Sequence, residues 1–316
     1  MNSARRAVID VGTNSVKLLV ADVSGREVEP VWEESKQTRL GRGFYETHRL
    51  QAEAIEATGK AVAQFSETAR KYEATSVRVI ATSAARDAVN SSELCSAIEN
   101  ASGLKMEIIS GEQEAEWVFQ GVTTDPTLAN EPLLLLDVGG GSAEFIVGQG
   151  TRKYFSQSFP LGTVRLLEKN PPSDPPKKEE LARCRGAIKD FLEKEVKPVV
   201  KLNGLHELHK LHEGEKLMLV GTGGTTSILG RMEAKLENYD RAKIEATRLS
   251  LERMHWHVEH LWSLPLEERK HVVGLPPNRA DVILMGVAIY EAIMEDFGFS
   301  DLRISTRGLR FAAVIA

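Results

Sequence analysis

At 316 residues the chain is too long for one ordinary core and suits two domains of about 150 residues each. Its 42% hydrophobic and 27% charged residues describe a soluble globular protein, and a net charge of −5 excludes global attraction to nucleic acid or an anionic membrane. Cys95 and Cys184 form no CxxC or metal spacing, and no stretch reaches the ~18 unbroken apolar residues of a membrane span, so a cytoplasmic protein is expected.

Residues 5–11 and 16–23 are rich in Val, Ile and Leu around the turn "GTNS", which predicts a β-hairpin, with a third strand around 28–37. Asp10, Asn14 and Lys17 interrupt this apolar run, which rules against a signal peptide. From Arg49 to Tyr72 apolar residues recur at helical spacing and predict a long amphipathic helix. "SVRVIATSA" (76–84) reads as a strand running into a Thr/Ser turn, followed by a helix at 91–102 and a short strand at 105–110. Ser110 with Gln113 fits a capping box opening a helix through Val122.

A strand at 133–138 then restarts the pattern. The Pro-Pro-Ser-Asp-Pro-Pro loop at 171–176 precedes a charged helix from Lys178 to about Leu202. A strand at 216–221, helices at 225–237, 248–263 and 278–297, and a last strand at 302–306 complete the expectation. "DVGTNSVKLLV" laid over "DVGGGSAEFIV" matches Asp, Val, Gly, Ser and the closing Val, a repeat of about half the chain length. Two halves of one α/β architecture follow, each with a strand-turn-strand at its heart.

Three apolar strands run into glycine-rich turns: Gly12–Thr13–Asn14–Ser15, Gly139–Gly140–Gly141–Ser142 and Gly223–Gly224–Thr225. Such turns point successive N–H groups into one concavity and form an anion nest, to which the Thr, Asn and Ser side chains add donors. One such turn only needs glycine for φ > 0, whereas three fit a cleft gripping phosphates from opposite sides. Asp10 and Asp137 hold the same offset before two of the turns. Either alone reads as a turn cap, but the matched pair points to a metal, because facing carboxylates repel unless a cation sits between them. Glu144, on the return strand, points either toward the metal or out to water.

Glu112, Glu114 and Glu116 crowd the first turns of the 110–122 helix, where the helix dipole favours carboxylates in any protein. That accounts for Glu112 and Glu116, and leaves Glu114 as the candidate general base. The His-rich stretches "HELHKLH" (His206, His209, His212) and "HWHVEH" (His255, His257, His260) lack zinc spacing.

The ordered set "AVIDVGTNSVKLLVA", "ATSAAR", "IISGEQEAEWVFQGV", "LLLLDVGGGSAEFIVG", "LVGTGGTTS", "NRADVILMG" and "ISTRGLR" resembles the exopolyphosphatase/guanosine pentaphosphate phosphohydrolase (Ppx/GppA) family in its short two-domain form. The resemblance implies two actin-like domains of the ribonuclease H-like, sugar kinase/heat-shock/actin superfamily with an interdomain cleft. It implies bounds of 1–124 and 125–307, with 308–316 a candidate to complete the first domain. It implies Glu114 as catalytic base, Asp137 and Glu144 at Mg²⁺ or another divalent cation, where the matched pair also places Asp10, and Lys17 and Arg279 as phosphate contacts, with Arg86 a further phosphate-binding candidate on the cleft wall. The implied partners are inorganic polyphosphate, guanosine pentaphosphate or tetraphosphate, and a second copy as a homodimer, with no nucleic acid or membrane. Relatives continue Gly-Leu-Arg into Glu-Gly, whereas here Gly308-Leu309-Arg310 runs into Phe311-Ala312, which leaves closure of the first domain by this segment open.

The expected activity is release of terminal phosphate from polyphosphate or guanosine pentaphosphate. The rivals are a phosphotransferase of the same superfamily and a non-catalytic sensor of guanosine tetra- or pentaphosphate.

Overall fold

In the computed structural model, which describes residues 3–200 and 217–316, the first apolar segments pair as the sequence pattern requires. Strand β1 (Ala4–Val11) turns at Gly12–Asn14 into β2 (Ser15–Ser24), antiparallel with Val11 opposite Val16 and Asp10 opposite Lys17. β3 (Glu27–Gln37) follows as the outer strand of this meander. A single helical turn (Phe44–Thr47) precedes helix α1 (Ala52–Lys71), whose buried face of Ile55, Val62, Phe65 and Ala69 repeats at helical spacing and covers the sheet. This helix carries the chain back to β4 (Ser76–Ala81), parallel to β1. The segment after β4, expected as a turn, is a short helix α2 (Ser83–Asp87), with Thr82 as its N-terminal flank. Helix α3 (Ser91–Ser102) leads to β5 (Met106–Ile108). Helix α4 (Gly111–Val122) begins at Ser110, whose hydroxyl accepts from the Gln113 N–H.

The second half repeats the plan. β6 (Leu133–Val138), β7 (Ala143–Gln149) and β8 (Arg152–Phe159) form an antiparallel meander, and β9 (Met218–Thr222) lies parallel to β6. Helix α5 (Thr163–Lys169) follows β8. The helix expected from Lys178 to about Leu202 is α6 (Lys178–Phe191), which passes into a wider π turn at Leu192–Val196 before one more helical turn at Lys197–Val200. Pro198 lacks the N–H that would continue the α ladder to Lys194. Helix α7 (Gly223–Glu233) starts at the third glycine pair instead of beyond it. β10 (Arg248–Ser250), helix α8 (Leu251–Ser263), helix α9 (Ile283–Phe297) and β11 (Asp301–Ile304) complete the half. α9 is apolar over most of its surface and is accordingly buried in the second core, with Tyr290 among its buried side chains and Phe297 against Phe145.

The strand orders are β3-β2-β1-β4-β5 and β10-β11-β9-β6-β7-β8. In each sheet the three-strand meander adjoins a parallel strand at the edge of its first member, so the repeat seen in two turns extends over five strands. The chain divides into two compact units, residues 1–126 with 307–316, and residues 127–306.

In the first unit the last helix, α10 (Leu309–Ala313), packs on α4. Arg6 donates to the carbonyl of Ile315 at 2.9 Å, and Arg310 to the carbonyl of Leu18 at 2.7 Å. The approach of α10 to α4 is close enough that a Cβ on Gly121 would lie 2.0 Å from the Gly308 carbonyl oxygen. Gly121→Ala is therefore expected to lower stability by about 1–3 kcal/mol, measured as a fall in the urea midpoint, with earlier proteolytic release of the C-terminal segment. A midpoint equal to the wild type would contradict this packing.

Candidate active site

In the first unit the site grows from the end of β1. The Gly12 N–H donates to the Ser15 carbonyl at 3.0 Å and closes the turn. Asp10 is the last residue but one of a buried strand and is itself only 7% exposed. Its Oδ1, like Nδ2 of the buried Asn14, has no partner among the described residues. Burial pushes the Asp10 carboxyl above the ordinary range, and the opposing charges of Lys17 and Arg310 only partly offset this. Lys17 lies directly across from Asp10 in the β1–β2 register. Thr13 and Ser15 are buried at the same turn.

Glu114 sits in the first turn of α4, 8% exposed. Arg86, at the end of α2, donates through Nη1 to Glu114 Oε2 at 2.9 Å and to the Ile109 carbonyl at 3.2 Å. The short helix missed in the sequence is what turns Arg86 toward Glu114. An arginine expected at a phosphate is thus seen holding a carboxylate.

In the second unit β6, β7, β8 and β9 bring the remaining groups together. The Gly139 N–H donates to the Ser142 carbonyl at 2.9 Å, the same closure as in the first turn. Asp137 faces Glu144 directly across the β6–β7 register, so the two carboxylates lie on one side of the sheet. Glu144 is 1% exposed, which removes the outward alternative, and its Oε1 accepts from the hydroxyls of Ser142 and Ser158, both at 2.8 Å. Asp137 also lies beside Thr222 in the β6–β9 register. A Cβ on Gly223 would sit 2.1 Å from Asp137 Oδ1, and Gly223 has φ +85°, so only glycine fits there. Thr225 Oγ1 donates to the Val138 carbonyl at 3.2 Å, tying the start of α7 to the Gly139 turn. Two like charges in register, one served by hydroxyl donors, fit a hard divalent cation that uses one or two carboxylates. No cluster of three or more His, Cys, Asp or Glu forms a closed metal cage among the described residues.

Arg279 ends a 3₁₀ turn (Pro277–Arg279). The next carbonyl, Ala280, accepts from the buried Arg269 at 3.0 Å, and Arg269 also donates to Leu264 O at 2.9 Å. Tyr290, fully buried beneath β6, donates to the Leu136 carbonyl at 3.4 Å; burial first, then the Asp137 charge, hold its phenol protonated. Ser158, Arg269 and Tyr290 escaped the sequence reading because their partners lie far along the chain and no local spacing marks them.

The three histidines of α8 have separate partners. His257 Nε2 meets Glu233 at 2.7 Å, His255 Nε2 meets Glu295 at 2.8 Å, and His260 stacks on Trp256. Burial holds His257 below its ordinary range against the pull of Glu233. His206, His209 and His212 lie outside the described residues.

A model of the Ppx/GppA phosphatase family matches residues 19–314. The chain belongs to the Ppx/GppA phosphatase family. It is 32% identical to Exopolyphosphatase 2 of Mycobacterium tuberculosis over 318 residues, 96% of either chain. The solved structure of the Aquifex aeolicus Ppx/GppA family member matches with a TM-score of 0.77 and 28% identity, covering 99% of this chain and 97% of that one. An exopolyphosphatase from Cytophaga hutchinsonii shares the fold with a TM-score of 0.83 at 24% identity, over 98% and 96% of the two chains. As a Ppx/GppA protein the chain is a hydrolase by family, and its two mixed sheets are the two actin-like domains of that family. Among the described residues no helix is long and apolar enough to cross a membrane. The family match begins at Leu19, so Glu114, Arg86, Asp137, Glu144 and Arg279 fall inside it, whereas the Asp10 turn is tied to the second turn by the internal repeat.

The buried Asp10 charge has a consequence for stability. Its raised native pKa means that its contribution is fully present below about pH 4, where the carboxyl is protonated in both states, and is lost as pH rises through the native value. Asp10→Asn is expected to melt about 2–4 °C above the wild type at neutral pH without divalent cations, an effect of about 1 kcal/mol. That advantage should vanish toward pH 4 in paired thermal melts. Equal melting points across the range would refute a cost of burying the Asp10 carboxyl.

Proposed function

We propose that the protein releases orthophosphate from the end of inorganic polyphosphate by attack of water, with guanosine pentaphosphate as a second substrate. The observation that carries this reading is the buried Glu114 carboxylate held by Arg86 at 2.9 Å. A carboxylate accepting from a guanidinium is held in one orientation, which a base needs in order to take a proton from water.

In the proposed step the water oxygen bonds to the terminal phosphorus, and its proton passes to Glu114. The bond from that phosphorus to the bridging oxygen breaks, and its electron pair stays on the chain, now one phosphate shorter. Phosphoryl transfer asks chiefly for positioning and neutralisation of charge. The Gly12–Ser15, Gly139–Ser142 and Gly223–Thr225 turns bind phosphate oxygens in this reading, with Lys17 and Arg279 adding positive charge. Asp137 and Glu144 are the residues of the second unit that would hold a divalent cation, magnesium first among them, and Asp10 is the candidate cation ligand of the first. When bound the cation supplies neutralisation of the phosphate oxygens. Polyphosphate is placed first among substrates because the Mycobacterium tuberculosis relative is an exopolyphosphatase by name.

Glu114→Gln is expected to lower kcat by ~10²–10⁴-fold, followed as phosphate release from polyphosphate, while pyrophosphate binding and the melting point stay near wild type. Unchanged phosphate release would remove Glu114 from the reaction. The substrate is tested by comparing long polyphosphate, tripolyphosphate, guanosine pentaphosphate and ATP, each with and without Mg²⁺. Polyphosphate should be turned over fastest and only with the cation; ATP as the best substrate, or turnover independent of the cation, would overturn the assignment.

A further inference from the structure

The segment that follows β8 makes a set of bonds that the catalytic reading leaves unused. The Thr163 N–H donates to the Gly139 carbonyl at 3.0 Å. The Val164 and Arg165 N–H groups both donate to the Gly140 carbonyl, at 2.9 and 3.1 Å. The Arg165 guanidinium Nε then donates to the Gly141 carbonyl at 2.8 Å. All three glycine carbonyls of the turn are thereby occupied from the three consecutive residues Thr163, Val164 and Arg165. Peptide geometry sets each N–H roughly opposite its neighbouring C=O. With the carbonyls drawn to one side, the N–H groups of Gly140, Gly141 and Ser142 face the other, and they donate to no protein group among the described residues.

The approach also needs Gly162, where a Cβ would lie 2.4 Å from the Gly140 oxygen and 2.5 Å from the carbonyl carbons of Gly140 and Gly141. These neighbours are backbone and have no flexible end to move aside.

The first unit uses the same device after its own third strand. Gly41 N–H donates to Thr13 O at 2.7 Å, and Thr38 and Arg39 N–H donate to Asn14 O at 3.2 and 3.0 Å. A Cβ on Gly41 would collide with the Thr13 side chain at 2.3 Å. Where the first turn uses backbone donors for its third carbonyl, the second uses a charged side chain.

We infer that Arg165 is a positioning residue for phosphate binding, fixing the Gly139–Ser142 turn from behind so that its N–H groups form the anion nest. The inference rests on the reading of that turn as a phosphate site. A bond from a charged donor is among the stronger hydrogen bonds, so its loss should loosen the nest without unfolding the unit.

The test compares wild type, Arg165→Met, which keeps the stem and removes the fork, and Arg165→Lys, whose ammonium can reach the same carbonyl. The full chain is assayed for KM and kcat on tripolyphosphate, and for pyrophosphate affinity by calorimetry in Mg²⁺. R165M should raise KM and weaken pyrophosphate binding about tenfold, with the loss falling on KM more than on kcat, and R165K should recover part of it. A merely structural residue would lower the melting point and the active fraction while leaving KM where it was, and that result overturns the inference. Unchanged KM and affinity in R165M also overturn it. Should R165M fail to fold, Gly162→Ala carries the test, since it lifts the segment off the turn with Arg165 intact; the same rise in KM is expected, and its absence is decisive against. Pyrophosphate that binds wild type but not R165M, with no phosphate release by either, would sink the proposed hydrolysis and leave this inference standing. No binding of pyrophosphate by wild type would sink the inference.

Discussion

Burying a carboxylate at the end of an apolar strand costs free energy, and both halves of this chain do so at the same place. Asp10 closes β1 and Asp137 closes β6, each two residues before the first glycine of its turn. The first unit offsets part of that cost by setting Lys17 across the register and Arg310 nearby. The second places Glu144 at the matching position, which adds charge instead of cancelling it, and gives that carboxylate two serine hydroxyls. A packed core would normally exclude such groups unless they were paired. Their retention fits the proposed site for cations and phosphate, and the Ser142 and Ser158 hydroxyls are bonded to one of them.

The glycines answer to three different physical demands. Gly12 and Gly139 close hairpin turns by donating back to a serine carbonyl. Gly223 opens a helix in a left-handed conformation, and any side chain on it would occupy the space of the Asp137 carboxylate. Gly162 and Gly121 belong to no turn; they permit backbone to approach backbone, in one case behind the Gly139 turn and in the other between α4 and the C-terminal segment.

Family membership and site geometry bear on different questions. The match over residues 19–314 makes the chain a Ppx/GppA hydrolase with two actin-like domains. The chain's own atoms bear on the chemistry: Glu114 is buried and bonded by Arg86, and in the second turn the three glycine carbonyls are occupied while the N–H groups of Gly140, Gly141 and Ser142 are not, among the described residues.

Much of the fold was legible locally. The apolar runs around "GTNS" and "GGGS" specified hairpins, Ser110 and Gln113 specified the start of α4, and the matched Asp-Val-Gly placed two copies of one plan in the chain. These features depend on residues a few positions apart, where periodicity, capping and turn chemistry act. The partners did not follow from spacing. Arg86 meets Glu114 only because "SAARD" coils into a short helix, Ser158 meets Glu144 only across a third strand, and Arg165 reaches Gly141 only once α5 folds back on the turn. The sequence alone determined which residue types stand at each strand end, since side-chain alternation and turn preference are local. Tertiary structure alone decided which charges are paired, buried or aimed, because hydrogen bonding and desolvation depend on neighbours that only the packed sheets bring within 3 Å or so of one another.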